Sequence, residues 1–274
     1  MKVLLIVLIS LICVYIALRV LASVRSEYKN IDDNNPYLHP EVAYDVLPDD
    51  MAEYANNMPN PPDRRVGVYE RLFKRFLDSI VSFFGLIILS PLFLALIIAI
   101  KIDDPGPAFF TQNRIGKDNR FFSLHKFRSM KMSTPHDTPT HLLECPEQYI
   151  TRIGKFLRKT SLDELPQIWD IFRGKMSVIG PRPALWNQAD LVCEREKFGV
   201  NMLSPGLTGL AQISGRDELE IPQKVSFDKK YSENISLVVD VKCFFLTIGS
   251  VVKHRGVVEG GTGELKKQHE EVNR

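Results

Sequence analysis

Cysteine is scarce in this chain, and charge of one sign is not in excess. The four cysteines among 274 residues, Cys13, Cys145, Cys193 and Cys243, show no CxxC spacing, and Cys13 lies inside an apolar segment. That pattern argues against both a zinc ribbon and a disulfide framework. His136, Asp137, His141, Glu144 and Cys145 crowd together, but in a proline-bearing polar stretch without a recognised ligand spacing, so they read as loop residues rather than a metal centre. With 35 basic and 33 acidic side chains the net charge is +2, which gives nucleic acid no electrostatic footprint. There is no Walker loop, no GxGxxG and no internal repeat. Residues 26–63, rich in Asp, Asn, Pro and Tyr, lack any sustained period of 2 or 3.6 and read as a linker.

What the chain does have is two long apolar runs. Val3–Leu18 is preceded by Lys2 and followed by Arg19, Arg25 and Lys29. It reads as an uncleaved membrane anchor over residues 1–25, with a cleaved signal peptide as the other reading. Ile80–Ile100, IVSFFGLIILSPLFLALIIAI, is uncharged and long enough to cross a hydrocarbon core of roughly 30 Å. Ser90-Pro91 sits at its middle, where the proline removes a helical hydrogen bond and favours a break into two arms. Basic residues flank both ends, Arg64 to Arg75 before and Lys101 to Arg128 after, and such residues tend to stay cytoplasmic. A re-entrant hairpin hinged at Ser90 and Pro91 satisfies both flanks; a straight span with a tolerated proline is the competing topology. Val66–Leu77 alternates apolar and basic residues at helical spacing, as in a helix lying on a bilayer with its cations in the headgroups.

Beyond Lys101 the composition is that of a soluble domain. Ala108–Arg114 and Arg120–Met130 predict two strands joined across Gly116, Asp118 and Asn119, a hairpin that would gather Arg114, Lys126 and Arg128 as phosphate-binding candidates. In Ile153–Gly174, IGKFLRKTSLDELPQIWDIFRG, Thr160-Ser161 halts one helical pattern and a second ends at Gly174. Ser161 with Glu164 fits a capping box, although Asp163 would serve as the cap equally well. Either choice sets Asp163 and Glu164 in a first helical turn, where a carboxylate or a phosphate is favoured. Arg158 and the rigid turn of SVIGPRP, which presents Arg182, bracket that pair; carboxylates beside phosphates imply a divalent cation such as Mg²⁺. Pro205–Arg216, PGLTGLAQISGR, is a glycine-punctuated loop ending in Arg216, by itself a weak phosphate contact. A polar helix is expected over Leu219–Tyr231, and Asp240–Val252 suits an interfacial or core helix.

Taken together, KRFLDS, the Ser90-Pro91 break, FTQNRIG, HKFRSM, RKTSLDELPQ, MSVIGPRP, PGLTGLAQISGR and DVKCFFLTI resemble the bacterial sugar transferases, the monotopic phosphoglycosyl transferases. The resemblance covers about Tyr69 to Val257. It implies transfer of a sugar 1-phosphate from a UDP-sugar donor to undecaprenyl phosphate with release of UMP. Asp163 would be the nucleophile forming a covalent phosphosugar, and Glu164 its base or metal partner. Mg²⁺ would be bound at both, and Lys126, Arg158 and Arg182 would hold phosphates. The setting implied is a bacterial inner membrane with the catalytic domain in the cytoplasm.

The expected fold is therefore a mostly helical α/β monotopic membrane protein. Its parts are an anchor (1–25), a linker (26–63), a surface helix with a re-entrant helix (64–104), a sugar transferase domain (105–258) and a mobile tail (259–274). The expected partners are the UDP-sugar, undecaprenyl phosphate, the lipid bilayer, downstream glycosyltransferases and a second copy in a homo-oligomer, with no nucleic acid. Two other functions fit the same outline: a membrane glycosyltransferase releasing UDP, and a non-catalytic adaptor of a polysaccharide export complex.

Overall fold

The computed structural model describes residues 61–62, 64–134, 146–186, 188–215 and 219–252. The expected N-terminal anchor, nearly all of the linker, the His136–Cys145 stretch, Arg216 and the tail lie outside them. A π-helical turn, Tyr69–Lys74, runs directly into α1, Arg75–Asp103, making one helical rod of 35 residues. Among the described residues this is the one helix long and apolar enough to cross a membrane.

Helical structure continues through Pro91, so the chain stays helical across the hinge expected at Ser90-Pro91. The reason is local. Proline cannot donate to the carbonyl four residues back, which is that of Ile87, and the Ser90 hydroxyl donates to that same carbonyl at 2.8 Å. Serine thus supplies the donor that its neighbour lacks.

The rod has two unlike faces. Asp78, Ser82, Ser90, Phe93, Leu96, Ile97 and Ile100 are buried, whereas Leu72, Phe73, Phe76, Val81, Phe84, Ile88, Ile98 and Ile102 are exposed. At its N-terminal end the expected surface helix buries one of its cations and leaves Arg71 exposed. Lys74 is buried and donates to Asp240 at 2.6 Å, beside the Tyr69 hydroxyl at 2.8 Å. Arg75 donates to the carbonyls of Ile171 (2.6 Å) and Phe172 (2.9 Å). These two cations face the protein while Leu72, Phe73 and Phe76 face outward.

After the rod, β1 (Phe109–Ile115) and β2 (Phe121–Phe127) form the predicted antiparallel hairpin. Its turn uses Asp118 and Asn119 at φ 55° and 58°, a left-handed conformation those side chains tolerate better than most. Helix α2 (Pro146–Tyr149) leads into α3 (Arg152–Thr160), and α4 (Gln167–Phe172) ends before Gly174, whose φ of 83° makes the reversal. Strand β3 (Ser177–Ile179) follows, then β4 (Ala184–Leu185), which joins the free edge of β1. Helix α5 (Ala189–Glu196) precedes β5 (Gly206–Thr208), which pairs in parallel with β3.

The stretch expected as a glycine-punctuated loop is, as far as Gly215, a strand running into α6, Leu210–Ser214, because Gly206 pairs closely with strand β3. A Cβ on Gly206 would sit 2.1 Å from the Gly180 nitrogen, so glycine here permits two backbones to touch. Helices α7 (Ile221–Glu233) and α8 (Leu237–Val252) close the described chain; α8 buries Asp240 and Cys243 and exposes Val238, Val241, Phe244, Phe245 and Ile248.

The central hydrophobic cluster joins Phe93, Leu96, Ile97 and Ile100 of α1 to Phe109 of β1, Phe127 of β2 and Leu157 of α3. Phe127 lies 5.3 Å, centroid to centroid, from both Phe93 and Phe109. Fully burying such a side chain stabilises by about 1.5–3 kcal/mol, which makes the C-terminal half of the rod part of the domain's own core.

Candidate active site

The site grows from the end of α3. Thr151 caps that helix by accepting from the Gly154 nitrogen at 2.9 Å, and Ser161, with φ of 57°, reverses the chain at its other end. The reversal puts Leu162–Glu164 into a single 3-10 turn. Leu162 and Leu165, on either side of the dyad, pack down onto the α1 cluster, which leaves Asp163 and Glu164 facing the hairpin.

Neither expected capping arrangement forms. Ser161 makes no side-chain cap, and α4 begins only at Gln167 with Pro166 before it. The dyad is held by side-chain cations instead of a helix terminus. Glu164 Oε1 accepts from Lys126 Nζ at 2.9 Å and from one Arg182 nitrogen at 2.8 Å, and the other Arg182 nitrogen lies 3.4 Å from Oε2. Asp163 Oδ2 is 4.0 Å from Lys126 Nζ. Arg158 donates to Ser129 Oγ at 3.0 Å while its charge acts on Asp163.

These surroundings split the two carboxylates. Burial pushes the Asp163 carboxyl above the usual range and the Glu164 charge adds to that, against the pull of Lys126, Arg158 and Arg182. Burial opposes ionisation of Glu164 too, but Arg182 and Lys126 outweigh it and hold that carboxyl well below the usual range. Glu164 is thus an anion held by two cations. Asp163 is the more basic of the pair and the less tied, which suits it to attack an electrophile.

Of the sequence-predicted residues, the structure brings together Asp163, Glu164, Lys126, Arg158 and Arg182. Arg114 does not join them: it donates to the Pro183 carbonyl at 3.1 Å and to Gln112 at 2.8 Å. Arg128 is also elsewhere, buried and paired with the Asp104 carboxylate at 3.3 Å where the rod ends. Arg216 lies outside the described residues. Ser90 and Pro91 are in mid-helix.

One pair escaped the sequence reading. Asp170 of α4, almost fully buried, accepts from the His125 backbone at 2.9 Å and lies 2.7 Å from His125 Nδ1. This clamps β2 one residue before Lys126. An aspartate inside the apolar run QIWDIF was the only signal.

Among the described residues no group of three or more His, Cys, Asp and Glu gathers. Asp163 and Glu164 alone are the donor set, and two carboxylates suit Mg²⁺, which keeps waters and takes substrate phosphates as further ligands. Glu164 would share its oxygens between such an ion and the two cations already on it.

The sequence model of the family described as bacterial sugar transferase matches residues 69–254. The chain is 37% identical over 197 residues to the exopolysaccharide production protein ExoY of Sinorhizobium fredii, covering 67% of this chain and 87% of that protein. It is 35% identical over 200 residues to the undecaprenyl-phosphate galactose phosphotransferase of Salmonella typhimurium, covering 68% of this chain and 42% of the relative. It is 34% identical over 227 residues to the UDP-glucose:undecaprenyl-phosphate glucose-1-phosphate transferase of Escherichia coli, covering 77% and 47%. The chain spans less than half the length of the latter two.

Proposed function

This chain belongs to the bacterial sugar transferase family, and we propose that it moves a sugar 1-phosphate from a UDP-sugar to undecaprenyl phosphate, releasing UMP. The observation that carries the reading is the unequal dyad, in which Lys126 and Arg182 lock Glu164 and leave Asp163 raised and available. In the first step Asp163 attacks the sugar-linked phosphorus. A new carboxylate–phosphorus bond forms, the bond to the oxygen of the UMP phosphate breaks, and UMP leaves with the electron pair. In the second step a phosphate oxygen of the lipid attacks the same phosphorus and Asp163 departs as its carboxylate, leaving the sugar on a lipid diphosphate.

Lys126, Arg158 and Arg182 carry the charge balance at the phosphates, with arginine forks matching phosphate oxygens in pairs. Asp163 and Glu164 would hold Mg²⁺, which when bound neutralises charge on the donor's diphosphate. The long rod and the exposed apolar face of α8 support a site beside a bilayer, proposed here as the bacterial inner membrane with the site on its cytoplasmic side. The reaction would open the assembly of an exopolysaccharide or another glycoconjugate, so later glycosyltransferases would take up its product.

The experiment is nucleotide release in purified membranes supplied with undecaprenyl phosphate and a panel of UDP-sugars. UMP, with transfer of the donor's labelled β-phosphate to lipid, is the expected result, and the panel names the sugar. Release of UDP would replace the proposal with simple glycosyl transfer, and no turnover with any donor would leave the adaptor.

A further inference from the structure

The turn that presents Arg182, Gly180-Pro181-Arg182-Pro183, has two prolines and so lacks two of the backbone donors that ordinarily fix a turn from within. It is held from outside by its carbonyls. The Gly206 nitrogen donates to the carbonyl of Pro181 at 2.8 Å. Arg114 takes Pro183, and Arg195 donates from Nη1 to the carbonyl of Arg182 itself at 2.8 Å. Arg195 is only 5% exposed. Its Nε and Nη2 donate to Asp228 Oδ2 at 2.9 and 2.6 Å, and Asp228 is 1% exposed.

A buried ion pair is poor value as cement, because desolvating both charges offsets most of their attraction. This one does something an apolar pair could not: it spans α5 and α7 and aims one guanidinium N–H at a single backbone atom of a substrate-facing residue. We propose that Arg195, oriented by Asp228, is a positioning residue that sets the Arg182 guanidinium at the donor phosphates. The proposal rests on the reading of Arg182 as a phosphate-binding group. It separates the turn's two tasks, with Arg182 touching phosphate and Arg195 touching only the Arg182 backbone.

The test is a double-mutant cycle on UMP release. Arg195→Met combined with Asp228→Leu exchanges the buried pair for apolar side chains of similar volume, a change that commonly preserves folding. It removes the hydrogen bond to Arg182 but leaves Arg182 present. In the wild-type background kcat/KM should fall about 10- to 100-fold, as expected of a small misplacement at a reacting group. In an Arg182→Ala background the same exchange should change kcat/KM by no more than about twofold, since the residue to be positioned is gone. Equal losses in the two backgrounds would mean a purely structural pair and overturn the proposal. If the double exchange does not fold, Arg195→Lys, which keeps a charge on Asp228 without the fork, is read through the same cycle with the same two outcomes. Absence of UMP release from wild type would overturn the transferase reading and this role with it. Release by wild type with additive losses would overturn the positioning role alone.

Discussion

Replacing Lys126 with methionine should move the acid limb of activity to higher pH. As the proposed nucleophile Asp163 must be ionised to attack, so kcat/KM for the proposed UMP release falls as pH drops through its carboxyl pKa. Lys126 Nζ stands 4.0 Å from Asp163 Oδ2, and the side chains are 18% and 14% exposed. Two unit charges at about 4 Å in an effective dielectric of about 20 interact by about 4 kcal/mol, a ceiling of about 3 pKa units. Lys126 is shared with Glu164 at 2.9 Å, and Arg158 and Arg182 remain. The expected rise is therefore about 1–2 units. Methionine keeps the apolar stem, so packing along β2 is retained. The assay is a pH profile of kcat/KM for the wild type and the variant, with the limb's position read independently of its height. A limb that stays in place, or moves to lower pH, would refute the account of Asp163 as a buried carboxylate restrained by this cation.

Glu164→Gln should act in the opposite sense: loss of the neighbouring anion lowers the Asp163 pKa, so the acid limb moves to lower pH while the maximal rate drops. Asp163→Asn should abolish UMP release and leave melting at neutral pH unchanged or higher. The folded-state carboxyl is raised, so its ionisation works against folding at neutral pH; the variant's advantage should shrink as pH falls toward the usual carboxylate range, and a loss of stability at neutral pH would contradict this. Phe93→Ala should cost about 3–5 kcal/mol in unfolding free energy, read by denaturation in detergent. It should also lower turnover, because Leu162 and Leu165 rest on the same cluster. For topology, single cysteines at Arg65 and Lys117, both exposed, should resist an impermeant thiol reagent in spheroplasts and react in inverted vesicles. Reaction of just one of them from outside would place the rod across the bilayer.

Local chemistry was legible in the sequence. Alternation and the Asp118-Asn119 turn announced the hairpin, Thr160-Ser161 the end of α3, and Gly174 the end of α4, because each depends on residues within a few positions. Asp163, Glu164, Lys126, Arg158 and Arg182 also met as expected. What failed depended on distant partners. Lys126 and Arg128 are two residues apart and would share a strand face, but β2 stops at Phe127, and Arg128 turns to Asp104. Lys74 reads as a headgroup cation until Asp240, 166 positions away, takes it inside. His125 and Asp170 met across 45 positions that no periodicity links. At Pro91 the chain stays helical for a local reason, the hydroxyl of the residue beside it.

The rod explains why a soluble chemistry is built on so apolar an element. A helix that crosses a bilayer alone meets lipid on every side, yet this one is contacted by its own domain near both ends. Val178 donates to Asp78 at 3.1 Å near the start, and Phe93 to Ile100 lie in the domain core near the finish. The opposite face, from Leu72 and Phe76 through Ile88 to Ile102, stays exposed and apolar over the same length. Such a continuous face in water is unfavourable and calls for an apolar partner, and a lipid surface is the partner the proposed reaction itself requires. The element that would meet the membrane is also the floor on which Leu162 and Leu165 seat the dyad turn. Depth in the bilayer and height of Asp163 above it are then one variable, set by a single helix rather than by a flexible tether. That coupling is what a reaction between a water-soluble nucleotide and a membrane-bound phosphate demands.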